Sequence, residues 1–447
     1  MTWTQKIKDK PAKSKQVGRN SKRRPRRTAD FNPVRCEGNR LLFPFQLGWK
    51  NSIFARIRIF TVTQKLKHKK VILDFSRVKR AYPDGIVPII AETSRLTAMG
   101  YKFEALPPRD VSVRSLFIRN RWLYYINPED VERAPAEGFS SLPLQKFSSD
   151  EELNDMVNKV VEVCLQQLVF ADGVPQALEW SVNEIAGNIL IHSKAHEGWV
   201  QVMTYRDNHI LKLIVCDTGI GIPASMKQRF KFNQDRDGLA LAIKKGVTSN
   251  PEYGQGNGLA GALSIAQNSD GHFAITSGSG RVSVNKGKVD IESTFPPYNG
   301  TCVFMQFSTD KEVDLPRALW GYNPINYMET KFEDDRGDLV FNLREYASSF
   351  GNRITGERIR NLILNLLRQN PGRVVKVIMH DIGIISSSFA DELFGKLFVE
   401  LGPIDFATFV KTEGINPLCK SIVDLSISQR VAQTTLGVTP VRDGYLP

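Results

Sequence analysis

Two apolar, β-type runs follow one another at 198–216, GWVQVMTY and HILKLIVC, and the second runs directly into Asp217-Thr218-Gly219-Ile220-Gly221-Ile222-Pro223. This feature constrains the fold most tightly. A buried strand that ends on an acid and two glycines sets a carboxylate at a strand end, where the backbone can approach a flat ligand. An ordinary glycine turn is the plain alternative.

The segments on either side add chemistry at definite spacings. From Ala177 to His192, Leu178, Val182, Ile185 and Ile189 recur at helical intervals, so one stripe faces a core. Glu184 and Asn188 fall four apart on a neighbouring face, stacking a carboxylate above a carboxamide. The carboxylate can orient or deprotonate a nucleophile, and the amide oxygen is a hard ligand suited to Mg²⁺. An isolated pair of this kind is also common on solvated helices. Downstream, a polar stretch with Lys227, Arg229, Lys231, Arg236, Lys244 and Lys245 reads as a lid. It reaches Gly254-Gln255-Gly256-Asn257-Gly258-Leu259 at the start of a helical run, where backbone N–H groups and the positive helix end suit a polyphosphate. Gly300-Thr301 then opens the strand CVFMQF. Asp217 could accept a hydrogen bond from an exocyclic amine such as that of adenine.

In this order, the four elements resemble the N box, G1 box, G2 box and closing Gly-Thr strand of the GHKL (histidine-kinase/gyrase/Hsp90-like) ATPase family, over residues 150 to 310. The resemblance implies a Bergerat-type α/β sandwich that binds ATP with Mg²⁺. Asn188 would coordinate the metal, Glu184 would act as base, and Asp217 would hold the adenine. Gly219, Gly221, Gly254, Gly256 and Gly258 would shape the pocket, with Leu259 and Thr301 beside them; Thr248 and Ser249 would approach phosphate. No segment reads as the two-helix phosphoacceptor hairpin of a full sensor histidine kinase, so His192 is expected to be a packing or C-cap residue. The region after the sandwich does not read as the transducer domain of the gyrase, MutL and Hsp90 branches.

The flanks are smaller. Residues 30 to about 107 predict strand LLFPF, strand VILDF, a helix from Ile86 to Ala98 stopped by Gly100, and strand YKFEAL. Linkers are expected at 127–148 and 314–328, with a helical run at 150–170 between them. The pattern recurs as the strand Val374 to Met379, a helix from near Phe389, Gly402 and a strand FATFV. Both units resemble STAS domains, at 30–135 and 325–447. The expected fold is therefore a central Bergerat-type α/β sandwich flanked by two small STAS-like α/β domains. In STAS regulators a serine at the helix start is phosphorylated by a GHKL kinase partner. The first unit has Pro83-Asp84-Gly85 there, where the acid would mimic a phosphate or cap the helix. The second has Ser386, Ser387 and Ser388, and Ser388 with Asp391 also reads as a capping box.

Residues 1–29 hold eleven Lys/Arg against Asp9 alone, most of the net charge of +13. Such a segment is expected to be a disordered arm for nucleic acid or an anionic surface, or a solubilising tail. Five scattered cysteines without a CxxC spacing fit a reducing compartment. With no apolar run of membrane length, the expected location is cytoplasmic. The function expected is a regulator similar to anti-sigma-factor-type serine kinases, turning over Mg-ATP as an ATPase or a serine/threonine kinase and meeting a protein partner through its STAS-like modules. The alternative is a nucleotide-gated interaction protein with little turnover, nucleic-acid binding through its arm; domain-architecture analogy adds a stress-response or phage-defence role. GHKL proteins often dimerise, so a homodimer is among the assemblies allowed.

Overall fold

The structure is a computed structural model that describes residues 33–133, 142–249, 256–285, 287–322, 324, 331–334, 336–347 and 349–435. The arm at 1–29 and Gly254 lie outside the described residues. Among those described, no helix is long and apolar enough to cross a membrane.

The N-terminal module runs β1 (Arg35–Glu37), β2 (Arg40–Leu42), β3 (Gln46–Leu47), α1 (Trp49–Phe60), β4 (Lys70–Asp74), β5 (Arg80–Ala81), α2 (Pro83–Ala98), β6 (Lys102–Leu106), α3 (Val111–Arg119) and α4 (Trp122–Ile126). Its main sheet has the order β1-β2-β4-β6, parallel except for β1. Pro83 opens α2, and Gly100, at φ +84, stops it. Helix α1 had no clear sequence signal: its isoleucines and phenylalanines suit a strand as well as a helix, and packing on α2 decides.

The central module contains β7 (Leu142–Phe147), α5 (Asp150–Gln167), α6 (Val174–Asn188), β8 (Gly198–Tyr205), β9 (Ile210–Asp217), α7 (Ile222–Met226), α8 (Asp235–Ala242), α9 (Gly258–Asn268), β10 (His272–Asn285) and β11 (Lys288–Ser308). Strand β7 lies inside the stretch read as a linker, and forms one edge of an antiparallel sheet ordered β10-β11-β9-β8-β7. Ser149 caps α5, its Oγ accepting the Glu152 N–H at 3.2 Å, while the Glu152 carboxylate accepts the Ser148 N–H at 2.7 Å.

Alternation along the strands separates two buried faces. Val200, Val202, Leu211, Leu213 and Val215 join a core with α5, α6 and α9. Trp199, Met203, Ile214 and Cys216 point the other way, into a core shared with the N-terminal module. Fully buried Gln201 pins that second interface: its Oε1 accepts Trp122 Nε1–H at 2.9 Å, and its Nε2 donates to Asn120 Oδ1 at 2.7 Å. Asp84, in the first turn of α2, also sits between modules. The cations that act on it, Lys212 and Arg281, lie on the central sheet, and burial raises its carboxyl above the usual range.

The C-terminal part holds α10 (Leu315–Ala318), β12 (Leu339–Asn342), α11 (Leu343–Tyr346), α12 (Arg353–Gln369), β13 (Val375–Ile378), α13 (Ser387–Ala390), α14 (Lys396–Phe409), β14 (Val410–Glu413) and α15 (Pro417–Thr435). Strands β12, β13 and β14 are parallel in chain order, the same β-α-β-α-β arrangement as β2, β4 and β6. Three sequence expectations change here. The segment FATFV is helical up to Phe409, because Gly402, at φ +77, breaks α14 and Pro403 starts it again; the strand begins only at Val410. The cap of α13 is Ser386, not Ser388, with its Oγ accepting the Phe389 N–H at 3.1 Å. Asp391 is held instead by Arg430 through two 2.7 Å bonds. Third, part of the stretch read as a linker at 314–328 is folded: Leu315, Ala318 and Leu319 are buried.

Asn365 of α12 ties this part to the central module, its Oδ1 accepting the Phe170 N–H at 2.8 Å and its Nδ2 donating to the carbonyls of Leu165 and Leu168. Losing a buried partner costs more than the bond itself is worth. Gln201→Leu should therefore destabilise the protein by about 2 to 4 kcal/mol, read as a lower urea midpoint, because Trp122 Nε1 and Asn120 Oδ1 are left without their partner.

Candidate functional site

Helix α6, the end of β9, the start of α9 and β11 at Thr301, which lies inside that strand rather than opening it, surround a cavity of about 720 Å³, well within the range of small-molecule sites. Asp217 closes one end. It is 1% exposed, and its two oxygens accept N–H bonds from Gly219 at 2.7 Å and Thr301 at 3.2 Å. Burial outweighs these bonds and pushes its carboxyl up to about 7. The turn after it is closed by Ser277 of β10: the hydroxyl accepts the Ile222 N–H at 2.9 Å, donates to the Gly300 carbonyl at 2.6 Å and lies 3.1 Å from Thr301 Oγ1. Gly221, at φ +77, has no room for a side chain, since a Cβ would fall 2.7 Å from Ser277 Oγ.

At the other end, Glu184 and Asn188 project from α6 into the cavity. Glu184 rests against the first turn of α9; a Cβ on Gly258 would lie 2.4 Å from its Oε2. Burial raises its carboxyl above the usual range. Asn188 Nδ2 donates to the Glu184 carbonyl at 2.7 Å, which leaves its amide oxygen as the group to offer a ligand. Thr248 and Ser249 line the same region, where Ser225 Oγ meets Ser249 Oγ at 2.9 Å and Arg229 donates to the Thr248 carbonyl at 3.0 Å. The Gly246 N–H, shared between the Gly256 carbonyl and Asn257 Oδ1, folds this segment onto the α9 start.

Of the sequence candidates, Glu184, Asn188, Asp217, Gly221, Thr248, Ser249, Gly256, Gly258, Leu259 and Thr301 all border the one cavity. Gly219 does not: it lies behind Asp217, packed so closely on the Ser193 carbonyl that a Cβ would come within 2.0 Å.

A family model described as "Histidine kinase-, DNA gyrase B-, and HSP90-like ATPase" matches residues 173–308. Residues 173–308 are a GHKL ATPase domain. A second model, "STAS-like domain of unknown function (DUF4325)", matches residues 355–417. No curated protein was found to match the chain. The chain thus joins an ATP-binding GHKL domain to a STAS-like domain.

The GHKL cavity suits a nucleotide: a buried acid at one end, glycines and a helix N-terminus at the other. Among the described residues, no three His, Cys, Asp or Glu side chains cluster as a protein-only metal site, so a cation here would depend on Asn188 and the ligand's own oxygens. The structure adds residues that sequence reasoning missed. Ser277 sits in a plain strand pattern with nothing to mark it. His192, expected to pack or cap, lines the cavity, and burial lowers its pKa. Leu319, Trp320 and Tyr322 form a wall from a stretch read as a linker.

Asp217 also gives the GHKL domain a pH signature. The folded protein keeps this proton up to about pH 7, whereas an unfolded aspartate releases it near its ordinary 3.8. Stability on this account is greatest below the unfolded value and falls as pH rises through 4 to 7, by up to about 4 kcal/mol. Asp217→Asn should flatten that slope in denaturant titrations run across the same window.

Proposed function

We propose that this protein is an ATP-driven regulator that binds Mg-ATP in the cavity and cleaves its terminal phosphate, by hydrolysis or by transfer to a serine or threonine. The observation that carries the reading is the pairing of Glu184 and Asn188, one turn apart on α6, both facing the cavity whose far end is Asp217. In this reading Asp217 accepts the exocyclic amine of adenine, and Ser277 and Thr301 hold the base against the Gly221 turn. The Asn188 amide oxygen would hold Mg²⁺, which would supply charge neutralisation on the phosphates. Glu184 takes the proton of the attacking water or hydroxyl; its raised pKa suits a base that must work near neutrality.

The flanking modules would present the nucleotide state to a protein partner. The C-terminal STAS-like domain packs on α5 through Asn365, next to the helix that carries Glu184. We read the N-terminal module as a second STAS-like unit, because its three parallel strands and their order repeat those of the first. Its Asp84 supports a docking role, since the charges of Lys212 and Arg281 on the outer face of the ATPase sheet act on it. Ser387 is the exposed hydroxyl of the three at the α13 start and would be the acceptor if transfer occurs in cis.

The test is γ-labelled Mg-ATP with wild-type protein and Glu184→Ala, following free phosphate and protein-bound label separately. Turnover should fall by roughly 100-fold or more in the variant, within the span of general-base catalysis. Free phosphate identifies an ATPase and protein-bound label a kinase. Nucleotide binding with neither product would replace this reading with the gated-interaction one.

A further inference from the structure

Among the described residues that line the cavity, Lys245 is the one Lys or Arg. A site for a triphosphate has to offset several negative charges, so the position of this ammonium decides how the ligand's far end is held. The Gly246 N–H, bonded to the Gly256 carbonyl and to Asn257 Oδ1, keeps Lys245 beside the α9 start. Its ammonium is not free, however. It lies 4.7 Å from the centroid of the Trp320 ring, within cation–π range.

Trp320 is an unusual residue. Its φ is +57, a conformation that a bulky L-residue adopts when its surroundings impose it. Those surroundings are visible. Asp314 caps α10 by accepting the Arg317 N–H at 3.0 Å, Leu315 and Ala318 are buried, and Leu319 packs onto Gly261 of α9. The backbone is thus fixed to the ATP-site helix while the ring, 42% exposed, faces the cavity. Beyond it the chain reaches Phe332, stacked on Phe341 of β12 at 5.6 Å between centroids, which begins the C-terminal sheet.

We propose that Trp320 and Lys245 read the terminal phosphate: Lys245 rests on the ring when the site holds a diphosphate, and moves to the γ-phosphate of a triphosphate, releasing the Trp320 ring. The proposal rests on ATP occupying the cavity as argued above. A terminal phosphate carries full negative charge, whereas the ring offers only a quadrupole, so the triphosphate wins the lysine. Trp320 is a positioning residue here, acting through Lys245.

The test measures affinity for Mg-ADP and for a Mg-ATP analogue with a non-hydrolysable β–γ bridge, by calorimetry, together with tryptophan emission. Wild-type protein should favour the ATP analogue, and Lys245→Met should lose roughly tenfold of that preference while keeping its ADP affinity. Trp320→Leu, which keeps an apolar wall but no π face, should bind the ATP analogue as well as wild type or up to roughly tenfold better; a merely structural tryptophan would give weaker binding. Emission should change with the ATP analogue but not with ADP, and the difference should vanish in Trp320→Leu. An unaltered ATP-to-ADP ratio in Lys245→Met, or equal emission changes with both ligands, overturns the inference while leaving the ATP site intact. Wild-type protein that binds neither nucleotide overturns the site reading and this inference together.

Discussion

A five-stranded sheet buried on both faces organises this molecule. A sheet with one wet face would show polar residues at every second position, but β8 and β9 are buried along almost their whole length. The inner face takes α5, α6 and α9, which carry or support the cavity. The outer face takes the N-terminal module, with Gln201 satisfying Trp122 Nε1 and Asn120 Oδ1 where the two meet. Removing either cover would expose a continuous apolar surface, so the N-terminal module is part of the ATPase fold's stability rather than a tethered accessory.

The cavity follows from the same arrangement. Strand β9 is held flat between two cores, so its last residue, Asp217, is presented at a fixed height and with almost no solvent. Its high pKa is the electrostatic cost of that position. Helix α6 packs against α9 closely enough that Gly261 leaves no room for a Cβ beside Trp180, and this close approach brings Glu184 to the α9 N-terminus. Leu319, Trp320 and Tyr322, which follow the ATPase domain, then complete the rim.

Much of this was legible because the chemistry is local. Helical spacing put Glu184 and Asn188 on one face, and the strand that ends on Asp217 carried its own glycine signal. Other parts depend on approaches between distant segments. Cys216 and Cys302, scattered in sequence, are opposed across β9 and β11 with their sulfurs 3.0 Å apart. Ser277 gains its role only because Gly300 and Ile222 converge on it. Near α14, FATFV has the composition of a strand, and Gly402 looked like a boundary; instead Gly402 and Pro403 restart a helix, since β-propensity is weak against tertiary context.

By itself, then, the sequence determined the central ATPase pattern, the order of its boxes and the α/β character of the flanks, because hydrophobic period and turn chemistry act over a few residues. Only the tertiary structure decided which surface covers the outer face of the sheet, that Gly219 supports Asp217 from behind, and that Lys245 and Trp320 meet across the cavity rim. Those outcomes depend on long-range packing and on desolvation, and neither is written in the spacing of neighbouring residues.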